Sequence, residues 1–295
     1  MSSASSAPPL HAAVRPDAHP DAQAAPALAT VPAVAPFQTL HRTLSPWWSL
    51  LFVGLWLGLW WLLTAQEWVP ALFLPSPQAV WQALGQAWRG DIQGGEPLGV
   101  HAQWSFVRVF AAFFLAVLTA VPVGIAIGVN PWAKAVLDPL LEFYRPLPPL
   151  SYLPLVVIWL GIDEASKVLL IYLACFAPVA LSARAGTRLA SAEQINAARS
   201  LGASRWQLLL HVVVPAALPS IFVGLRIAMG FAWTTLVAAE MVAATQGLGQ
   251  MVLNASNFLR TDVVVMGILV IGGIALALDA ALRWLEQRLL PWHGR

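Results

Sequence analysis

A chain of 295 residues that is 59% hydrophobic and only 10% charged is not built for water. Soluble domains carry about 25% charged residues and about 45–50% apolar ones. The mean hydropathy of +0.70 places the chain in a bilayer, and the net charge of +2 is spread too thinly for a nucleic-acid surface, which needs clustered cations. The one cysteine, Cys175, sits inside an apolar run, so it forms no intramolecular disulfide and reads as a packing residue.

Residues 1–45 are rich in Ala, Pro and Ser and have little to bury. They read as a flexible, uncleaved tail: prolines and charges recur before any signal-like apolar core develops. Six apolar runs follow, at residues 47–63, 109–129, 146–162, 168–183, 215–239 and 263–278. Their apolarity is continuous rather than alternating, so they are predicted to be membrane-spanning helices, each needing roughly 20 residues to cross. Arg226 interrupts the fifth. The third carries Pro146, Pro148, Pro149 and Pro154, which remove backbone donors, so a broken segment lining protein or water is expected there.

Orientation follows from Lys and Arg in the connections. With the N-terminus inside, the inner regions hold Arg15, Arg42, Lys134, Arg184, Arg188, Arg199, Arg205, Arg283, Arg288 and Arg295, against Arg89, Lys167 and Arg260 outside. Both termini are therefore expected on the cytoplasmic side. The outer stretch of residues 64–103 contains Phe73-Leu74-Pro75-Ser76-Pro77, an extended turn, then a short helix over residues 77–88 lying at the membrane surface. Trp68, Trp81 and Trp88 read as headgroup anchors. Residues 251–259 are expected to form another short external helix after a turn at Gly247-Leu248-Gly249. Gly124 and Gly128, and the pair Gly272-Gly273, are expected to allow close helix contact.

Neither lysine, Lys134 or Lys167, follows a glycine, so no phosphate-binding loop of the Gly-Lys-Ser/Thr kind exists. The histidines have no metal-ligand spacing, and no nucleophile–histidine–carboxylate set is suggested. No catalytic residue, metal site or cofactor is expected on this chain.

Between the fourth and fifth runs lies a polar island, residues 187–212. Ile195, Ala198 and Leu201 recur at helical spacing while Glu193, Asn196, Arg199 and Arg205 face elsewhere. Gly202 tolerates positive φ cheaply and is expected to turn the chain between two short helices set at an angle. The orientation puts this island in the cytoplasm.

Asn196-Ala197-Ala198, then Gly202, then Val212 and Val214-Pro215 resemble the EAA---G---------I-LP loop of importer-type ABC permeases, with Asn196 where the pattern has Glu. The resemblance covers residues 70–293 and is strongest to taurine-transport permeases. It rests on Glu142-Phe143-Tyr144-Arg145-Pro146-Leu147-Pro148-Pro149-Leu150-Ser151-Tyr152-Leu153-Pro154-Leu155 and Leu169-Leu170-Ile171-Tyr172-Leu173-Ala174. Ser200-Leu201-Gly202-Ala203-Ser204-Arg205, Thr235-Leu236-Val237-Ala238-Ala239-Glu240 and Leu290-Pro291-Trp292-His293-Gly294 agree as well. Permeases for alkanesulfonates, nitrate or pyrimidine precursors share the loop.

The resemblance implies an all-α polytopic fold with six transmembrane helices. It divides the chain into a tail (residues 1–45), a first span with its external connection (46–100) and the permease domain (101–290). It further implies a homodimeric pathway in a bacterial inner membrane, with an ABC ATPase that carries ATP and Mg on the cytoplasmic side and a periplasmic solute-binding protein above. Asn196, Ala197, Ala198, Arg199, Gly202, Arg205 and Pro215 would couple to that ATPase.

For a zwitterion such as taurine, Glu240 is a candidate partner for the ammonium, and Tyr144, Thr234 and Thr235 are candidates for the sulfonate. Glu240 equally reads as satisfying a neighbouring helix or a backbone break, and Arg145 and Arg226 read as interhelical or interfacial partners. An ion-coupled secondary transporter is the rival class. It needs internal repeats and membrane carboxylates, whereas no repeat is visible and Glu240 is nearly alone.

Overall fold

The computed structural model describes residues 46–92 and 95–291, and all regular elements there are helical. The expected tail, and residues 292–294 of the C-terminal block, lie outside the described residues. The described residues up to Phe52 belong to one unit and those from Val53 to a second; the packing below is that of the second. The elements are α1 (Pro46–Ala65), α2 (Pro77–Arg89), α3 (Leu98–Val129), α4 (Pro131–Tyr144), a 3₁₀ turn (Pro149–Tyr152), α5 (Leu153–Leu160) and α6 (Glu164–Gly186). They continue with α7 (Ala192–Ser200), α8 (Arg205–Leu208), a π turn (Leu209–Val213), α9 (Val214–Ala243), α10 (Leu248–Asn257) and α11 (Thr261–Leu289).

Four helical stretches among the described residues are long and apolar enough to cross a membrane: Leu98–Val129, Glu164–Leu189, Arg205–Ala243 and Thr261–Leu289. Each exceeds the apolar run that announced it. Arg226 does not interrupt α9; its Nε donates to Asp279 Oδ1 of α11 at 3.0 Å. The expected third span is not one continuous helix. At residues 146–162 the chain is a turn, a 3₁₀ turn and the eight-residue α5, which extends only about 12 Å. The prolines cause this by withholding donors, as the broken-segment reading anticipated. The structure adds α4, which the apolar runs did not announce.

The core is a bundle of α3, α6 and α9. Arg108 and Glu164 meet at the N-terminal ends of α3 and α6, while Gly124 packs directly against the Ala180 carbonyl near their C-terminal ends, where a Cβ would clash. Those two helices are therefore parallel, and the chain returns between them through α4 and α5. Helix α9 runs antiparallel to both. Gly186 abuts Ala217, Gly224 abuts Ser182, and the Cys175 thiol donates to the Ala228 carbonyl at 3.6 Å.

The close approach has a sequence cause. Ala112, Ala116, Ala120 and Gly124 recur every four residues on α3 and are all buried. Such a small-residue stripe lets backbones touch where no hydrophobic effect drives helices together. Gly128 likewise approaches Thr187, whereas a Cβ on Gly272 or Gly273 would meet nothing, so that expected contact is absent among the described residues.

Helix α11 lies antiparallel to α9, with the Trp233 indole donating to the Ile271 carbonyl at 3.0 Å. The short helix α2 forms where expected, with Ser76 accepting from Ala79 N and Pro77 opening it, and Arg260 of the α11 entry donates to its Gln86. Trp68, Trp81 and Trp88 are all exposed. The second expected short helix forms as α10, starting at Leu248 rather than Met251, so Gly249 is helical and Gly247 alone holds the turn, with φ 141°.

Candidate functional site

Two polar constructions sit at opposite ends of the core bundle, and a cavity lies between them. At one end the polar island folds as helix, turn and helix. Ser191 and Gln194 close a capping box on α7, and Ser204 and Gln207 close a second on α8. These two Ser-x-x-Gln patterns were the available signal for both helix starts, since each satisfies two orphan donors. Between them Gly202 has φ 82°. Gly202 N donates to the Arg199 carbonyl at 2.9 Å and Ala203 N to that of Ala198 at 3.0 Å, the hydrogen-bond pair of a Schellman termination. Nothing lies within 4 Å of a Cβ placed on Gly202, so glycine is needed there for its dihedral and not for space.

The second of the two expected short helices is not separate. Arg205–Leu208 runs through the π turn into α9, and Val212, Val214 and Pro215 lie across that junction. A π turn inside a helix commonly marks a functional position.

None of α7 is buried. Ile195 and Ala198 are half-buried, while Asn196, Ala197, Arg199 and Arg205 are exposed. Leu201 is 89% exposed and Trp206 72% exposed. The Ser191 side chain and a backbone N–H at the start of α7 hold the Glu193 carboxyl below the usual carboxylate range. The turn thus presents apolar side chains flanked by arginines on a helix that packs its own apolar face only partly.

At the other end, Glu240 is fully buried. Its Oε1 accepts from Ser105 Oγ at 2.7 Å and Arg108 Nη1 at 2.8 Å, and its Oε2 from Gly249 N at 2.9 Å. Arg108 also donates to the Gln246 carbonyl at 2.6 Å, and to Glu164 through Nε at 2.6 Å and Nη2 at 2.9 Å. Lys167 adds a third contact to Glu164, at 2.8 Å. His101 Nδ1 accepts from Gly247 N, and Ser105 Oγ from Leu248 N. One cation therefore ties α3, α6, α9 and the α9–α10 turn together.

The sequence reading missed Arg108, Ser105 and Lys167 as partners, because Arg108 stands just before the second apolar run. A lone arginine at the edge of such a run, with a lone carboxylate at the far edge of another, was the signal for pairing.

The four pathway candidates do not converge. Thr234 is exposed and bonds back to the Gly230 and Phe231 carbonyls of its own helix, and Thr235 is buried. Tyr144 reaches the Leu173 carbonyl and lies 3.1 Å from the Tyr152 hydroxyl. It lines a cavity of about 530 Å³ bounded by the α4–α5 turn, α6 and α9. Thr234, Thr235 and Glu240 are not among the residues of that cavity. Arg145 is among them, and it is exposed with no ion pair or hydrogen bond from its side chain among the described residues, so of the two expected roles no interhelical pairing is seen. Arg184 also lines the cavity, and it pairs with Asp138 and Glu142 of α4.

Over residues 120–291 the chain matches the family described as binding-protein-dependent transport system inner membrane component. It is 52% identical over 238 residues to the taurine transport system permease protein TauC of Escherichia coli, covering 81% of this chain and 86% of that one. Over 249 residues it is 34% identical to a permease named for aliphatic sulfonates transport, SsuC of Escherichia coli, covering 84% and 92%. Among solved structures, an inward-facing MetNI methionine ABC transporter shares the fold, with a TM-score of 0.53 at 17% identity over 65% of this chain and 94% of that one.

Proposed function

Because this chain belongs to the family of binding-protein-dependent transport system inner membrane components, we propose that it is the permease subunit of an ATP-driven importer for taurine or a similar small sulfonate. It is a multi-pass inner-membrane protein and a transport subunit rather than an enzyme. ATP and Mg act on a separate ABC ATPase, and a periplasmic binding protein delivers the solute. The observation that carries the reading is the 52% identity to a taurine permease over most of both chains, against 34% to a permease for aliphatic sulfonates. That difference favours taurine over longer alkanesulfonates.

In this reading six segments cross the bilayer: α1, the broken α4–α5 return, and the four long helices. Both termini face the cytoplasm, as the Lys and Arg distribution supports. The α7–Gly202–α8 turn is then cytoplasmic, and its exposed Leu201 and Trp206 meet the ATPase with Asn196, Ala197, Ala198, Arg199, Arg205 and Pro215 shaping the contact. Two permease copies form the pathway. ATP-driven closure of the ATPase pair draws the two turns together, and the rigid α3–α6–α9 bundle carries that displacement to the opposite end. Thirty residues of α9 give a lever of about 45 Å.

The test is reconstitution. In proteoliposomes holding the permease, its ATPase and its binding protein, taurine accumulates only with ATP; the permease alone accumulates none. Accumulation by the lone permease on an ion gradient would reverse the assignment in favour of a secondary transporter.

A further inference from the structure

The cavity beside the α4–α5 turn has an electrostatic asymmetry that the three-candidate set Thr234, Thr235 and Glu240 does not share. Arg145 lines it without a carboxylate partner, and the hydroxyl-bearing Ser182 and Ser220 line it from α6 and α9. None of its lining residues is Asp or Glu. Arg184, which is paired with Asp138 and Glu142, and the phenols Tyr144 and Tyr152 also line it, and the remaining lining residues are apolar, Leu173, Ala177 and Phe231 among them. Arg145 is exposed to this space and its guanidinium has no carboxylate partner among the described residues, so it makes the cavity attractive to an anion. The volume of about 530 Å³ suits a small solute.

The cavity also sits at a helix defect. Pro178 lacks an N–H, so the Ala174 carbonyl one turn back has no helical donor, and both residues line the space. That carbonyl is an acceptor for the cationic end of a zwitterion where no carboxylate is available. Glu240 cannot serve, since both its oxygens are occupied in the opposite construction.

We propose that Arg145, with Ser182 and Ser220, forms an oxyanion subsite that holds the sulfonate group of the solute as it passes the permease. This deepens the proposed function and rests on it for the sulfonate itself. The planar fork of a guanidinium matches a tetrahedral oxyanion by paired hydrogen bonds, which a lysine ammonium reproduces only as a point charge.

Two measurements on the full chain test it. In the first, Ser182→Cys is labelled with methanethiosulfonate reagents bearing a sulfonate or an ammonium tail, with the chain carrying only buried Cys175 as control. The sulfonate reagent is expected to react about tenfold faster than the ammonium reagent, relative to their rates with a free thiol, because a charge-lined cleft concentrates counter-ions. Adding Arg145→Gln is expected to abolish that preference. An equal preference with and without Arg145, or a preference for the ammonium reagent, overturns the subsite.

In the second, ATP-driven taurine uptake by the reconstituted complex is compared for Arg145→Lys, Arg145→Gln and Arg145→Ala, with assembly monitored by co-purification of the ATPase. Losing a charge-assisted hydrogen bond is expected to lower uptake about tenfold or more in the Gln and Ala variants, with Lys between them and wild type. If Gln matches Lys, Arg145 acts through packing and the proposal fails. If the labelling preference holds while the wild-type complex takes up no sulfonate, the anion subsite stands and the assigned solute class is what fails.

Discussion

A carboxylate inside a bilayer protein is tolerated when donors replace its water, and Glu240 has an Arg108 guanidinium, the Ser105 hydroxyl and the Gly249 amide in that role. The same guanidinium grips Glu164, so Arg108 is shared between a fully buried anion and a half-exposed one. Removing one partner of a buried pair costs more than the pair itself contributes, because the other charge is left unpaired. Glu240→Gln is therefore expected to destabilise the detergent-solubilised protein by about 3 kcal/mol, the low end for such losses because Glu164 still holds Arg108. A shift in the unfolding midpoint checks this. An unchanged midpoint with abolished taurine uptake would instead make Glu240 a solute ligand. The apolar runs placed Glu240 correctly near a helix end, but its side-chain partners come from positions 132 and 135 residues away in the chain, which no local pattern encodes.

At the scale of elements, the helix–turn–helix around Gly202 was legible because each of its features is local. The capping boxes are four-residue patterns, and the left-handed turn needs a glycine within hydrogen-bond reach of the helix it ends. Gly202→Pro imposes a φ near −65° in place of 82° and removes the N–H that meets Arg199. It is expected to abolish ATP-driven uptake while leaving membrane insertion and the core bundle intact. Normal uptake by that variant would separate the turn from coupling. The third apolar run shows the opposite situation. Its composition satisfies a span of the right length, yet the four prolines at residues 146–154 decide its shape, so hydropathy reported depth but not continuity. Helix α4 escaped notice for a related reason: Lys134, Asp138 and Glu142 break the apolar pattern, and the ion pairs of Asp138 and Glu142 with Arg184 are tertiary.

For the whole molecule, the parallel pairing of α3 and α6 with antiparallel α9 fixes which ends share a side. The α7–α8 turn and the Arg108–Glu240 construction must lie on opposite sides of whatever the bundle crosses. Single cysteines placed at Ser200 and at Ser256 are expected to react with impermeant thiol reagents only from the cytoplasm and only from the periplasm, respectively. Labelling of both from one side would refute the assigned orientation. Stability of the bundle rests on the stripe of Ala112, Ala116, Ala120 and Gly124, whose period of four is visible in the sequence even though the helix it contacts is not.

The sequence by itself determined the membrane class, the helical character, the positions of the long helices and the glycine-centred turn, because hydropathy, helical period and backbone dihedral preference act over a few residues. Only the tertiary structure decided which charges pair, which glycines touch a neighbour, and that Arg145 rather than Glu240 faces a cavity. Those outcomes depend on the side chains that long-range packing brings within hydrogen-bond distance, and the strength of an ionic contact is set by the water that packing excludes.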